Sequence, residues 1–148
     1  MKTTMLSVVM LIVGSVSVRA GQPADLVAAG RHLVENVGMC QDCHSPRNPD
    51  GSFDRARWLM GSPLGFKPLM EMPWAPAAPG IAGFPGYTDA QAIEFLMTGK
   101  RPSGIPVRPP MPEYRLKREE AAAVVAYLRS LSPAATPTPA APEQAANR

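Results

Sequence analysis

The chain has 148 residues and a formal charge of +3, a length that suits one ordinary domain plus targeting or linker sequence and disfavours a multidomain enzyme. Apolar residues make up 45%, enough for a packed core, while 18 prolines and 12 glycines promise many loops and argue against a sheet-rich architecture. If the first twenty residues are removed, Lys2 and Arg19 leave with them, and 13 basic side chains face 12 acidic ones, a balance that implies neither a nucleic-acid nor a membrane-surface patch.

Residues 1–20 read as a secretory signal. Lys2 supplies the positive start, Met5 to Val18 an apolar region with serine and glycine scattered through it, and Val18 and Ala20 the small residues that a signal peptidase reads, so the expected mature start is Gly21. A region of about 14 residues is too short to span a bilayer core of about 30 Å. The sequence has no twin-arginine pair and no cysteine at the cut. A soluble exported protein, periplasmic in a bacterium, is the expectation.

A first helix is predicted from about Pro23 to Val37, with Leu26, Val27, Gly30, Leu33, Val34 and Val37 as its apolar stripe and Gly38 as its end. Gly30 inside it costs about 1 kcal/mol relative to alanine, a cost that close approach of another helix would justify.

Both cysteines of the chain follow at once, in Cys40-Gln41-Asp42-Cys43-His44. C-x-x-C-H is the attachment pattern of a c-type haem. Each thiol adds across one vinyl group to form a thioether, and cysteines three apart on a helical turn project to one side. His44 then supplies the proximal nitrogen to the iron. A structural zinc site wants four ligands, and the only other histidine is His32. A thioredoxin-like pair needs a βαβ context that the helical flanks do not offer. A structural disulfide would close a very small loop and add little stability.

Between His44 and Thr88 the chain carries turn chemistry, as in Ser45-Pro46-Arg47-Asn48-Pro49-Asp50-Gly51, and aperiodic apolar residues: Trp58, Leu59, Met60, Phe66, Leu69, Met70, Met72 and Trp74. Forty residues of loop would argue against a compact domain, unless an apolar macrocycle gives them something to pack on. A second helix starts at the capping box Thr88-Asp89-Ala90-Gln91, offers Ile93, Phe95, Leu96 and Met97 for burial, and stops at Gly99.

Pro109-Pro110-Met111-Pro112 reads as a stiff, extended loop that presents one side chain at little ordering cost. Met111 is therefore the leading candidate for the sixth iron ligand, ahead of Met70 and Met72, with His32 a weaker one on the solvent side of the first helix. Lys100, Arg101, Arg108 and Arg115 are candidates to neutralise haem propionates or guide a partner, or are simply solvated surface charge. A third helix covers about Arg118 to Leu131, with Val124, Val125, Tyr127, Leu128 and Leu131 on its apolar face and a poor N-cap in Lys117. Residues 133–148 collapse to proline, alanine and threonine and read as a disordered tail, which leaves residues 21–132 as the folded domain.

Gly30-Arg31-His32-Leu33-Val34 leading into the Cys40–His44 motif, then Pro110-Met111-Pro112-x-Tyr114, then Ala123 through Leu131, resembles the class I, monohaem c-type cytochromes of bacteria over about residues 23–131. It is similar in particular to those that serve periplasmic dehydrogenases. The resemblance implies an all-α, cytochrome c-like fold, with three main helices and long loops wrapped around one covalently bound haem c. The first and last helices should cross near a right angle, Gly30 against Tyr127. It implies Cys40 and Cys43 as thioether residues, His44 as proximal and Met111 as distal ligand. Two departures, His32 where an aromatic is common and the poorly capped third helix, leave that ligand set untouched.

A six-coordinate iron exchanges electrons but has no open position for substrate. The expected function is therefore electron transfer by a monomer, through transient contacts with protein redox partners such as a dehydrogenase or a terminal oxidase, with no nucleic acid and no stable membrane insertion. The alternatives are a haem-containing subunit of a periplasmic dehydrogenase complex, its Pro/Ala tail serving as linker, and a haem enzyme or gas sensor whose sixth position is open.

Overall fold

The computed structural model describes residues 23–131. The expected signal sequence at 1–20 and tail at 133–148 lie outside the described residues. Helix α1 spans Pro23–His32 and continues as a π turn over Leu33–Val37; α2 is the short Gln41–His44; α3 spans Asp89–Thr98 and α4 Arg118–Ser130. The all-α reading holds, with one addition. Strands β1 (Gly61–Pro63) and β2 (Ala77–Pro79) pair antiparallel, Gly61 opposite Pro79, inside the segment expected to be loop. Three-residue strands leave no sequence period to detect.

Helices α1 and α4 pack directly on each other, and Gly30 is the reason they can. A Cβ placed on Gly30 would lie 1.9 Å from the Ala123 carbonyl oxygen and 2.9 Å from Tyr127 Cβ. The contact continues through side chains: the Tyr127 hydroxyl donates to the Glu35 carboxylate, and Trp58 Nε1 donates to the Tyr127 hydroxyl at 3.3 Å. The expected stripe on α1 is narrower than its spacing suggests. Gly30 and Val34 are buried, but Leu26 is 41% exposed and Val37 59%. The π turn explains Val37, because an i to i+5 bond, Gly38 N–H to the Leu33 carbonyl at 2.7 Å, rotates the last turn out of the 3.6-residue period.

Helix α3 carries its capping box as read: the Thr88 hydroxyl accepts from Gln91 N–H, and the Gln91 side chain accepts from Thr88 N–H at 2.9 Å. Gly99 ends it in the left-handed region at φ 70°. Ala92 and Leu96 are its buried residues, while Ile93, Phe95 and Met97 are only partly covered. On α4 Val124, Val125, Tyr127 and Leu128 are buried as expected, together with Ala121 and Ala123. The weak N-cap is half repaired, since the Glu120 carboxylate accepts from Lys117 N–H at 2.8 Å. Arg129 joins α4 to the loop ahead of α3: its guanidinium donates to the carbonyls of Gly83, Phe84 and Tyr87 and to the Asp89 carboxylate.

The segment between α2 and α3 is ordered by a few anchors. Leu59 is wholly buried, and its N–H donates to the buried Ser45 hydroxyl at 2.9 Å. Trp58 packs against the core as well. Met60, Phe66, Leu69, Met70 and Met72, by contrast, are exposed.

Candidate functional site

The π turn delivers the chain to the cysteine motif. Beyond Gly38 the backbone reverses at Met39, whose φ is 46°, and re-enters a helical turn in which His44 N–H bonds the Cys40 carbonyl at 2.9 Å. Cys40 and Cys43 are therefore stacked one turn apart, and both lie on the wall of one cavity together with His44. His44 is only 6% exposed. Its Nδ1 lies 2.7 Å from the Pro79 carbonyl oxygen; a carbonyl can only accept, so Nδ1 carries the hydrogen and Nε2 keeps its lone pair. Burial pushes the His44 pKa below its ordinary value, and the Pro79 bond only partly opposes this. The imidazole is thus neutral, oriented and free at one nitrogen, the state in which a histidine binds a metal.

The cavity has a volume of about 440 Å³, within the range of roughly 300–1,000 Å³ usual for cofactor sites. One side is the Gly38–His44 segment. The β1–β2 hairpin contributes Leu64, Ala75 and Ala77 to Gly80, the following loop Ile81, Phe84 and Tyr87, α3 Phe95 and Leu96, and α4 Val124 and Leu128. The remaining side is residues 107–114, which places Met111 on the same wall as the two cysteines and His44.

The loop carrying Met111 differs from the expectation in shape. It is not extended: Met111 N–H returns to the Arg108 carbonyl at 3.2 Å, closing a turn, and Ala75 N–H holds the Pro109 carbonyl at 2.7 Å. The prolines still rigidify the loop, and the tether to the hairpin fixes the side that precedes Met111. Tyr114, three residues on, donates its hydroxyl to the Gly38 carbonyl at 2.9 Å and touches the Cys40 thiol. Burial, and then the neighbouring Cys40, push the Tyr114 pKa up to about 12. Burial also pushes the Cys40 thiol up, against the opposing Tyr114 hydrogen bond.

The other sequence candidates separate cleanly. Met70, 77% exposed, and Met72 stand outside the cavity wall, as does the exposed His32 on α1. Arg101 and Arg108 are on the wall, whereas Lys100 and Arg115 are not, and Arg115 pairs with Glu113 at 3.5 Å. Two participants were not identified from sequence. Met39 lies on the wall beside Cys40 with more than half its surface exposed. Pro79 holds His44 through a backbone carbonyl, a group that every residue has and that no side-chain pattern marks. Among the described residues no cluster of three or more histidine, cysteine or carboxylate side chains is placed to hold a metal.

The residues present fit a haem. The cavity is apolar and of cofactor size, two thiols sit one turn apart on its wall, an imidazole is held with one nitrogen free, and two arginines are its cationic members. Two thiols one turn apart beside an imidazole with a free nitrogen, on an apolar wall within a small helical shell, are the donor set that a thioether-linked haem calls for. The comparisons agree: the sequence pattern of the cytochrome c family matches residues 27–132, and the chain belongs to that family. It is similar to a protein named diheme cytochrome c-type from Cereibacter sphaeroides, 41% identical over 61 residues, covering 36% of this chain and 21% of that protein. It is also similar to a fructose dehydrogenase cytochrome subunit from Gluconobacter japonicus, 30% identical over 112 residues, covering 69% of this chain and 21% of that one. The matches span about a fifth of the length of these relatives. Membership of the family implies covalently bound haem c and a role in electron transfer.

Proposed function

We propose that the chain is an exported, periplasmic electron carrier holding one haem c, with Cys40 and Cys43 as its thioether residues and His44 and Met111 as axial ligands. The observation that carries this reading is that these four side chains, drawn from segments nearly seventy residues apart in sequence, share the wall of one apolar cavity. A haem held there supplies one reversible electron at its iron. Pro79 keeps the His44 ring in one tautomer and one orientation. Met111, on a loop tethered at both Arg108 and Ala75, would be the second protein ligand to the iron and would raise the reduction potential, and the apolar wall would raise it further by disfavouring the additional charge of the ferric state. An iron held by both His44 and Met111 would have no position open to substrate, which favours a carrier over an enzyme or gas sensor. The lysine and apolar run at the N-terminus support export. Among the described residues no helix is long and apolar enough to cross a membrane.

A second reading, a haem-bearing subunit of a dehydrogenase complex, is favoured by the likeness to the fructose dehydrogenase cytochrome subunit. Co-purification with a dehydrogenase at a fixed ratio through a high-salt wash would select it, and a freely monomeric protein would reject it.

The ligand set is tested by absorption spectra of oxidised and reduced wild type beside Met111→Ala, with carbon monoxide added to the reduced proteins. A low-spin wild type with a weak sulfur-to-iron band in the red, both lost in the variant as carbon monoxide binding appears, is the expected result. A wild type that is high-spin or already binds carbon monoxide overturns the Met111 assignment and moves the open-site enzyme or sensor ahead.

A further inference from the structure

Met111 sits in a loop held unevenly on its two sides. Before it, Val107 N–H bonds the Gly99 carbonyl at 3.1 Å and the Pro109 carbonyl accepts from Ala75 N–H at 2.7 Å. After it, residues 112–115 make no backbone hydrogen bond among the described residues, and the next backbone anchor is Leu116 N–H on the Leu96 carbonyl at 3.2 Å. Glu113 packs against Gly99, and the hydrogen bond that ties this stretch to the cysteine segment comes from the Tyr114 side chain. Its hydroxyl donates at 2.9 Å to the carbonyl of Gly38, the residue that ends the π turn and leads into Cys40. A helix end leaves carbonyls without partners inside the helix, so the phenol satisfies one of them while joining the thiol-bearing wall of the cavity to the Met111-bearing wall. The Tyr114 ring lines the cavity itself and lies against the Cys40 thiol. Apolar packing explains the ring. It does not explain the hydroxyl, which phenylalanine would lack at no cost to packing.

We propose that Tyr114 is a positioning residue whose hydroxyl latches the Met111 loop shut against the Gly38–Cys40 segment and so sets how readily an outside ligand displaces Met111. This rests on the reading of Met111 as the sixth ligand. The latch acts on the equilibrium between a closed loop and one swung away from the cavity, and an entering ligand binds only the open form, so its apparent affinity scales with the open fraction.

The test is the haem-loaded Tyr114→Phe protein, titrated in the ferric state with imidazole and followed by the shift of the main haem absorption band, beside wild type and Met111→Ala. One neutral hydrogen bond converts to an affinity for imidazole roughly two- to tenfold tighter in Tyr114→Phe than in wild type. Hydrogen exchange of the Met111 amide, which wild type protects through the Arg108 carbonyl, should accelerate by a similar factor. The denaturant midpoint separates a local latch from a general loss of stability, because weaker packing elsewhere lowers the midpoint without changing imidazole affinity. Unchanged imidazole affinity in Tyr114→Phe, with affinity raised in Met111→Ala, overturns the latch and leaves the ligand assignment standing. Equal affinity in wild type and Met111→Ala removes Met111 as the displaced ligand and overturns both.

Discussion

Replacing Gly30 by alanine sets two effects of opposite sign against each other. As a helix position taken alone, Gly30→Ala should stabilise the protein by about 1 kcal/mol, because alanine loses less backbone freedom in α1. In the folded protein the added methyl carbon meets the Ala123 carbonyl oxygen at 1.9 Å, the Ala123 carbonyl carbon at 2.5 Å and Tyr127 Cβ at 2.9 Å. The first two are backbone atoms of α4, so no rotamer change relieves the contact and the two helices must separate. Overpacking of this kind costs about 3 kcal/mol where the neighbour cannot yield. The net expectation is a loss of about 2 kcal/mol, which for a domain of this size lowers the thermal midpoint by roughly 8–12 °C. Urea denaturation of the haem-loaded protein measures it, with the denaturant slope unchanged if only the folded state is affected. Separation of α1 from α4 should also weaken the Tyr127 to Glu35 hydrogen bond, so the near-ultraviolet signal of Tyr127 and Trp58 should change with it. A variant as stable as wild type, or more so, would refute the close approach and with it the account of how the first and last helices are joined.

Arg129→Gln removes a guanidinium that donates to three loop carbonyls and one carboxylate; with charge-assisted bonds lost at a partly exposed site, the expected cost is about 2–3 kcal/mol, accompanied by faster amide exchange over residues 83–87, and protection equal to wild type there would reject the clamp. Tyr114, held up to about 12 against 10.0 for a free phenol, keeps its proton in the fold after the unfolded chain has released its own. Its contribution to stability is therefore complete below pH 10 and is lost as the pH rises from about 10 to 12, a decline that Tyr114→Phe should lack when the two proteins are unfolded side by side across that range; parallel pH profiles would refute the burial of the phenol.

The chemistry of the site was legible because it resides in side-chain identity at short spacing. Cys40, Cys43 and His44 fall on one helical turn, and any chain that forms that turn presents them together. Gly30 could be read for the same reason: a costly residue inside a good helix implies a neighbour too close for a methyl group. Thr88 and Gly99 marked the ends of α3 through local hydrogen bonding and left-handed geometry that depend on adjacent residues alone. Met111 stood out among nine methionines through its flanking prolines, although the loop they form proved to be a turn.

What the tertiary structure decided was everything carried by backbone atoms or by contacts across long separations. The orientation of His44 depends on the Pro79 carbonyl, 35 residues away, and a carbonyl has no sequence signature. The β1–β2 pairing that presents Pro79, the Ala75 tether on the Met111 loop and the Tyr114 bond to Gly38 are of the same kind. The burial of Leu59 beside the exposure of Met60 and Leu69 likewise follows no period in an irregular segment, because there the neighbours that cover a side chain are supplied by the fold and not by the chain on either side of it.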